Sequence, residues 1–168
     1  MILFNDFLLR WNSELFPLLP YERKAVDMLS VRAEDKEFLL KVGMPVAAAP
    51  YLNFSNQPRS FGKYFIIGYT GSGDIICIEG NKVVIVNHER SGDAQFMNSS
   101  LSQLVDFLLG YAEFITKIKI IFGRKAFLEK AAPASTWNEI KDQFNGIDPD
   151  AIMPGCFWFG ELEQYKRQ

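Results

Sequence analysis

The period of the apolar positions changes along the chain from helical to alternating and back to helical. Leu3, Phe7, Leu8, Trp11 and Leu15 recur three and four apart, which predicts one face of an amphipathic helix. Pro17 and Pro20 end it, because proline cannot continue the hydrogen-bond ladder. A second short helix is predicted over 34–42, with Phe38, Leu39 and Val42 inward. Gly43 and then Pro45 supply the stop: glycine just past the last turn, proline beyond it.

The middle of the chain reads differently. Tyr64-Phe65-Ile66-Ile67, Ile75-Ile76-Cys77-Ile78 and Val83-Val84-Ile85-Val86 are short β-branched or aromatic runs between glycine, asparagine or charged residues. Each predicts a strand. Thr70-Gly71-Ser72-Gly73 joins the first pair, and Gly80-Asn81 the second, where glycine suits the first central position of a type II′ turn. Connectors this short force antiparallel neighbours, because a parallel crossover needs about a dozen residues or more. Further strands are predicted near Gln95-Phe96-Met97 and near Tyr51-Leu52-Asn53-Phe54. The sum is an antiparallel meander of about five strands.

Helical spacing returns at Ser100-Leu101-Ser102-Gln103, which has capping-box order. Leu101, Leu104, Val105, Leu108, Ala112 and Ile115 follow as a stripe, widened by Phe107, Leu109 and Phe114, able to cover one sheet face. Pro133 breaks the chain, a short helix is predicted over 137–144, and Asn145-Gly146 ends it. The tail is aromatic around Phe157-Trp158-Phe159. The expected fold is α+β, a five-stranded antiparallel meander covered by helices, in one domain spanning 1–168.

Composition narrows the classes. The apolar fraction is 48% and the charged fraction 23%, ordinary for a folded globule. A net charge of −2 gives no general attraction to nucleic acid. No apolar run approaches the ~18–20 residues that span a bilayer, so no membrane partner is expected. The N-terminus Met1-Ile2-Leu3-Phe4-Asn5-Asp6 lacks a basic n-region and a small-residue cleavage site, so the expected compartment is the cytoplasm. Cys77 and Cys156 form no closely spaced framework.

Reactive constellations are sparse. The loop Gly68-Tyr69-Thr70-Gly71-Ser72-Gly73-Asp74 has the glycines of a phosphate cradle, but a strand follows where a helix N-terminus would be needed. Gly68, Gly71, Gly73 and Asp74 therefore read as turn residues, and Asn98 and Ser100 as a helix entry. His88 is the sole histidine, too few ligands for zinc with two distant cysteines. Cys77 lies inside an apolar strand, where a thiol behaves as a small hydrophobe. Glu79, Glu89, Asp74 and Asp93 flank strand ends, where carboxylates at turns are normally solvated. No catalytic residue, cofactor or metal is expected.

Charge is more informative than its net value. Residues 137–165 hold Glu139, Asp142, Asp148, Asp150, Glu161 and Glu163 against Lys141, a local −5. Residues 117–130 hold five bases against Glu129, a local +4. The acidic end also carries Trp137, Trp158, Phe159 and Tyr165. Two readings stand. In one, Trp137, Asp148, Asp150, Trp158, Phe159, Glu161 and Glu163 form a partner-binding face, since aromatics ringed by charge are a common interface mix. In the other, the aromatics close the core and the carboxylates are solvated. The basic stretch equally suits a solvated helix end.

One ordered set of motifs carries a family resemblance. Phe38-Leu39-Leu40-Lys41-Val42-Gly43-Met44-Pro45 precedes the run from Tyr64 to Ile78 with its Ile-Gly turn and Gly-Asp entry into Ile-Cys-Ile. Val83–Val86 and Phe96-Met97-Asn98-Ser99-Ser100-Leu101 follow. The set, spanning about 34–111, resembles the SUKH superfamily (SMI1/KNR4-like domains), and most its SUKH-4 branch. The resemblance implies a bacterial immunity protein that binds and neutralises a protein toxin, often a nuclease, without catalytic residues of its own. Two alternatives stay open: a regulatory or scaffold interaction module on the same fold, and an enzyme with a small-ligand cleft near the 68–74 turn.

Overall fold

The computed structural model describes residues 4–87 and 93–164; His88, Glu89 and Tyr165 lie outside them, as does Leu3. The elements run α1 (Phe4–Arg10), β1 (Leu18–Leu19), α2 (Arg23–Asp27), α3 (Ala33–Lys41), β2 (Met44–Pro45), β3 (Ala47–Ala48) and β4 (Leu52–Phe61). Then come β5 (Tyr64–Thr70), β6 (Ile75–Glu79), β7 (Lys82–Val86), β8 (Ala94–Asn98), α4 (Leu101–Leu128), α5 (Ala134–Ile147), a 3-10 turn (Pro149–Ile152) and α6 (Phe157–Glu163).

Strands β3 to β8 form one sheet in sequence order, each antiparallel to its neighbours, while β1 and β2 make a separate pair. The α+β meander is thus as predicted, with β3 as an added edge strand. Period-2 alternation sorts the sheet's two faces. Ile67, Ile76, Ile78, Val83, Ile85 and Met97 enter the main core under the helices, and Cys77, Val84 and Val86 form a small cluster of their own. The β6–β7 turn pairs Glu79 with Lys82, and Gly80 has φ +60 while Asn81 stays at negative φ, which fits the type II′ geometry.

Two irregularities shape β5. Its register with β6 slips between Ile66 and Gly68, a one-residue bulge. Gly68 lies against β4 so closely that a Cβ there would fall 2.3 Å from the Asn53 carbonyl oxygen. β4 itself bulges between Phe54 and Arg59, where Pro58 cannot donate to the ladder.

The helices differ from the sequence pattern in instructive ways. α1 stops at Arg10 rather than running to Leu15. The Asn12 side chain accepts from the Leu15 amide (3.2 Å), and the Trp11 indole donates to the Phe16 carbonyl (2.8 Å). That local turn outcompetes the helix, so Phe7 and Trp11 are buried while Leu8 and Leu15 face solvent. α3 ends as predicted at Gly43, whose φ is +81. α5 begins after Pro133 and continues through Asn145 and Gly146 to Ile147, where Pro149 follows. α4 is 28 residues long, with a break at Gly123 (φ 82, ψ 162).

Candidate partner-binding surface

The start of α4 is a polar seam inside an apolar core. Ser100 caps the helix by accepting from the Gln103 amide (3.2 Å). Gln103 does not reach back to the cap's backbone. Its carbonyl accepts from the Ser100 hydroxyl (2.8 Å) and its amide donates to Ile147 O (3.0 Å), tying α4 to the end of α5. Asp35 from α3 accepts from the Ser102 amide (2.9 Å) and hydroxyl. Its second oxygen, Oδ2, is buried without a partner. Burial pushes the Asp35 carboxyl up, against the lowering effect of Ser102.

Asp148 belongs to this seam. It is 1% exposed and accepts from the Ser99 amide (2.7 Å), the Ser99 hydroxyl (2.9 Å) and the Asn98 amide (3.3 Å). Asn98 in turn accepts from the Trp158 indole (2.9 Å). Trp158 is wholly buried among Phe107, Tyr111, Phe144 and Phe157, with ring centroids 5.1–5.7 Å away. Trp137 is buried too, edge-on to Phe114 at 4.6 Å, with its indole bound to Ala132 O. Of the seven residues considered for an acidic aromatic face, Trp137, Trp158 and Asp148 therefore sit in the interior. Asp150 is exposed, and Phe159, Glu161 and Glu163 are half-buried.

The local charge blocks fold onto one another. Lys117 of α4 pairs with Glu139 of α5, and Lys130 bonds Gln164 and lies near enough to Glu161 to favour its ionised form. Burial nevertheless pushes the Glu161 carboxyl up overall. The two segments thus meet at Lys117–Glu139 and at Lys130 beside Glu161, contacts that sequence distance concealed.

The 68–74 turn is closed by internal bonds. Thr70 Oγ1 accepts from the Asp74 amide (3.1 Å), and Ser72 donates to the Asp74 carboxylate (3.0 Å). Gly73 has φ +92, and a Cβ on Gly71 would meet the Tyr51 side chain at 3.0 Å. The turn is not flat: with Tyr51, Gln95 and Glu161 it lines a hollow of about 530 Å³. The Cys77 thiol, by contrast, is buried and pushed up to about 12 by that burial, far from thiolate chemistry. Among the described residues no three carboxylate, thiol or imidazole groups gather as a metal site, and no helix is long and apolar enough to cross a membrane.

The surface that sequence reasoning passed over is the far end of α4. Ile118 is the last buried residue, and Lys119 through Lys125 are all exposed. Ile120 is 78% exposed, Ile121 57% and Leu128 63%. At 1.5 Å per residue the helix overhangs the body by about 6 Å before Gly123 breaks it. The chain then returns through a left-handed Lys130 (φ 55), with Ala131 N bonded to Ala126 O and Lys130 N to Phe127 O, a Schellman closure with lysine where glycine is usual.

Beside this ridge lies a groove. A hollow of about 740 Å³ separates the 10–16 segment from α4, floored by Ala48, Ala49, Leu109 and Ala112. Arg10 clamps the two walls with a bidentate pair to Glu113 (2.8 and 2.7 Å). A second hollow of about 800 Å³ shares Phe16, Ala48, Ile115 and Lys119 with the first and continues past Tyr51 and Leu128 to Glu161. The available signal was Ile120-Ile121-Phe122: three consecutive apolar residues cover more than one face of a helix, so the stripe alone cannot bury them.

The class the fold defines is α+β: an antiparallel meander covered by helices, with an apolar ridge and groove on its surface. The family model for the SUKH-4 immunity protein matches residues 17–164. The chain therefore belongs to the SUKH-4 immunity protein family. Comparisons with curated proteins and with solved structures return no match.

Proposed function

We propose that this chain is the immunity protein of a bacterial polymorphic toxin system, binding its cognate protein toxin one to one in the cytoplasm and neutralising it without catalysis. Membership of the SUKH-4 family across 17–164 carries this reading. The exposed apolar residues at the end of α4 support it, since contiguous patches of that kind mark protein contacts. The test is co-expression with the active product of the adjacent toxin gene. Cells survive only when this chain is present, and it co-purifies with an inactivated form of the toxin. Survival without complex formation would count against stoichiometric inhibition. On the family's pattern the toxin is a nuclease, read in the same cells as DNA or RNA degradation when the chain is absent.

A second reading draws on the hollow beside the 68–74 turn, where a carboxyl raised by burial, Glu161, faces polar groups of Ser72, Asp74 and Gln95. Perturbed carboxyls in hollows also mark small-ligand sites. Ser72→Ala/Gln95→Ala, which touches this hollow and not the groove beside α4, separates the two: toxin protection stays intact if the hollow is incidental and is lost if a ligand there is required.

A further inference from the structure

Resting on the immunity reading, we propose that the toxin docks on the ridge and groove of α4, and that it inserts an apolar, net-acidic segment there. Three observations point to this surface and this chemistry. Leu15, Tyr51, Ile120, Ile121, Phe122 and Leu128 are all exposed, and the two connected hollows lie among them. Single exposed hydrophobics are ordinary, but a set gathered along one groove is not.

Charge sets the partner's sign. Residues 119–130 hold four bases, Lys119, Arg124, Lys125 and Lys130, against one acid, Glu129, which pairs with Lys125 at 3.6 Å, so the ridge keeps a net positive charge. Lys119 stands over the Phe127 ring at 5.3 Å, so base and aromatic already share the ridge. An acidic segment is attracted to this rim, and like charge repels the basic nucleic-acid cleft of a nuclease. The contact therefore falls on a toxin surface away from such a cleft. Shape sets the partner's form. Two adjoining hollows of about 740 and 800 Å³ receive side chains of an inserted segment, whereas a bilayer surface favours a convex or flat apolar face.

Tyr51 adds an anchor. It is 83% exposed and held at φ 58, a left-handed conformation that costs an L-residue roughly 1–2 kcal/mol. Its exposed ring recovers little of that by burial in its own fold. Tyrosine is among the residues most enriched at the positions that carry an interface's binding energy.

The experiment measures affinity for the inactivated product of the adjacent toxin gene, and for phosphatidylglycerol vesicles, with four proteins. These are wild type, Ile120→Asp/Ile121→Asp, Lys119→Glu/Arg124→Glu, and the control Asp142→Lys/Asp150→Lys at the acidic end. All substituted side chains are exposed, so melting temperatures stay close to wild type. The charge-reversal pair serves alone if the aspartates lower it. Both ridge variants are expected to weaken toxin binding about 100-fold or more, as loss of central anchors does, while the control stays within about threefold. Slower association and a lost salt dependence accompany the charge reversal. Ridge variants that bind like wild type overturn the docking surface and leave the immunity reading standing. A wild type that neither binds nor protects overturns both. Vesicle binding by wild type that the ridge variants lose, with toxin binding unchanged, assigns the ridge to a membrane surface instead.

Discussion

Replacing Asp148 by alanine is the sharpest test of how the fold is held. Its carboxylate is the acceptor for the Ser99 amide, the Ser99 hydroxyl and the Asn98 side-chain amide at 2.7, 2.9 and 3.3 Å. A hydrogen bond to a charged group contributes about 1.5–3 kcal/mol net, and a buried donor left without an acceptor costs about 1–3 kcal/mol. Ser99 is half-exposed, so water replaces part of what it loses, while Asn98 is wholly buried and gets no such relief. The net loss is about 3–4 kcal/mol, a large share of the ~5–15 kcal/mol by which domains are stable. For a chain of this size that lowers Tm by about 6–15 °C. Urea unfolding followed by tryptophan fluorescence measures it, because Trp158 is bonded to Asn98 and reports on the seam. Asp148→Asn should recover a large part of the loss, since its carbonyl can take the Oδ2 place toward the Ser99 and Asn98 amides while its NH2 donates to the Ser99 hydroxyl. A loss under about 1 kcal/mol with an unchanged m-value would show that the seam is not what anchors α4, and the reasoning would be wrong.

Other perturbations separate further causes. Gly43→Ala combines a φ of +81 with a Cβ 1.9 Å from Leu19 O and should cost about 4 kcal/mol or more, whereas Gly123→Ala, at φ 82 and ψ 162 in open space, carries backbone strain alone and should cost about 1–3 kcal/mol; a loss at Gly123 equal to that at Gly43 in urea melts would refute the steric argument. Lys130→Gly relieves the left-handed residue of the Schellman closure by about 0.5–1 kcal/mol but gives up the side-chain bond to Gln164, so it should be more stable than Lys130→Ala, which loses the bond and keeps the strain, by about that amount, read by calorimetry. Asp35 is held above its ordinary range by burial. The folded state thus binds its proton more tightly than the unfolded state, and the stability this gives is fully present below the unfolded value of about 4. It is lost as pH rises through the folded value. Asp35→Asn removes that decline, so the stability of wild type relative to the variant should fall as pH rises from about 4; parallel curves would contradict it.

Local chemistry made much of the fold legible. Gly43, Gly80 and Ser100 each answer a backbone requirement met within a few residues, and the strand runs between 64 and 86 alternate without competing signals. What distance hides was not legible. Nothing near Asp148 in sequence announces Ser99, 49 residues away, and nothing near Asp35 announces Ser102, 67 residues away. The contact of the acidic and basic segments at Lys117 and Glu139 crosses 22 residues and a turn, so no local pattern announces it. Trp137 and Trp158 match interface and core composition equally well, and only packing against Phe114 and Phe107 decides for the core. The ridge was visible as an anomaly in the helical pattern at Ile120-Ile121-Phe122, but the pattern alone does not separate a deeply buried helix from one that overhangs.

The placement of the clamps bears on the ridge. The start of α4 is held by Asp35 from α3, by Asp148 and by Gln103 on the end of α5. Its middle is held by Arg10 through Glu113 and by Glu139 through Lys117. All these ties lie at or before Lys117, and the return from the tip is fixed by Lys130 on Gln164. The overhang from Lys119 to Phe122 is therefore the continuation of a helix whose root is fixed from three sides, rather than a free loop. Side chains offered on such a support need no backbone ordering on binding, a cost of about 1–2 kcal/mol for each residue fixed in a mobile segment. Moving the clamp should then move affinity: Arg10→Ala touches neither the ridge nor its charge at 119–128, yet loosening the wall of the groove should weaken toxin binding about tenfold. Full affinity in that variant, with Glu113 left unpaired, would mean that the partner reads the ridge alone and the groove contributes no pre-organisation.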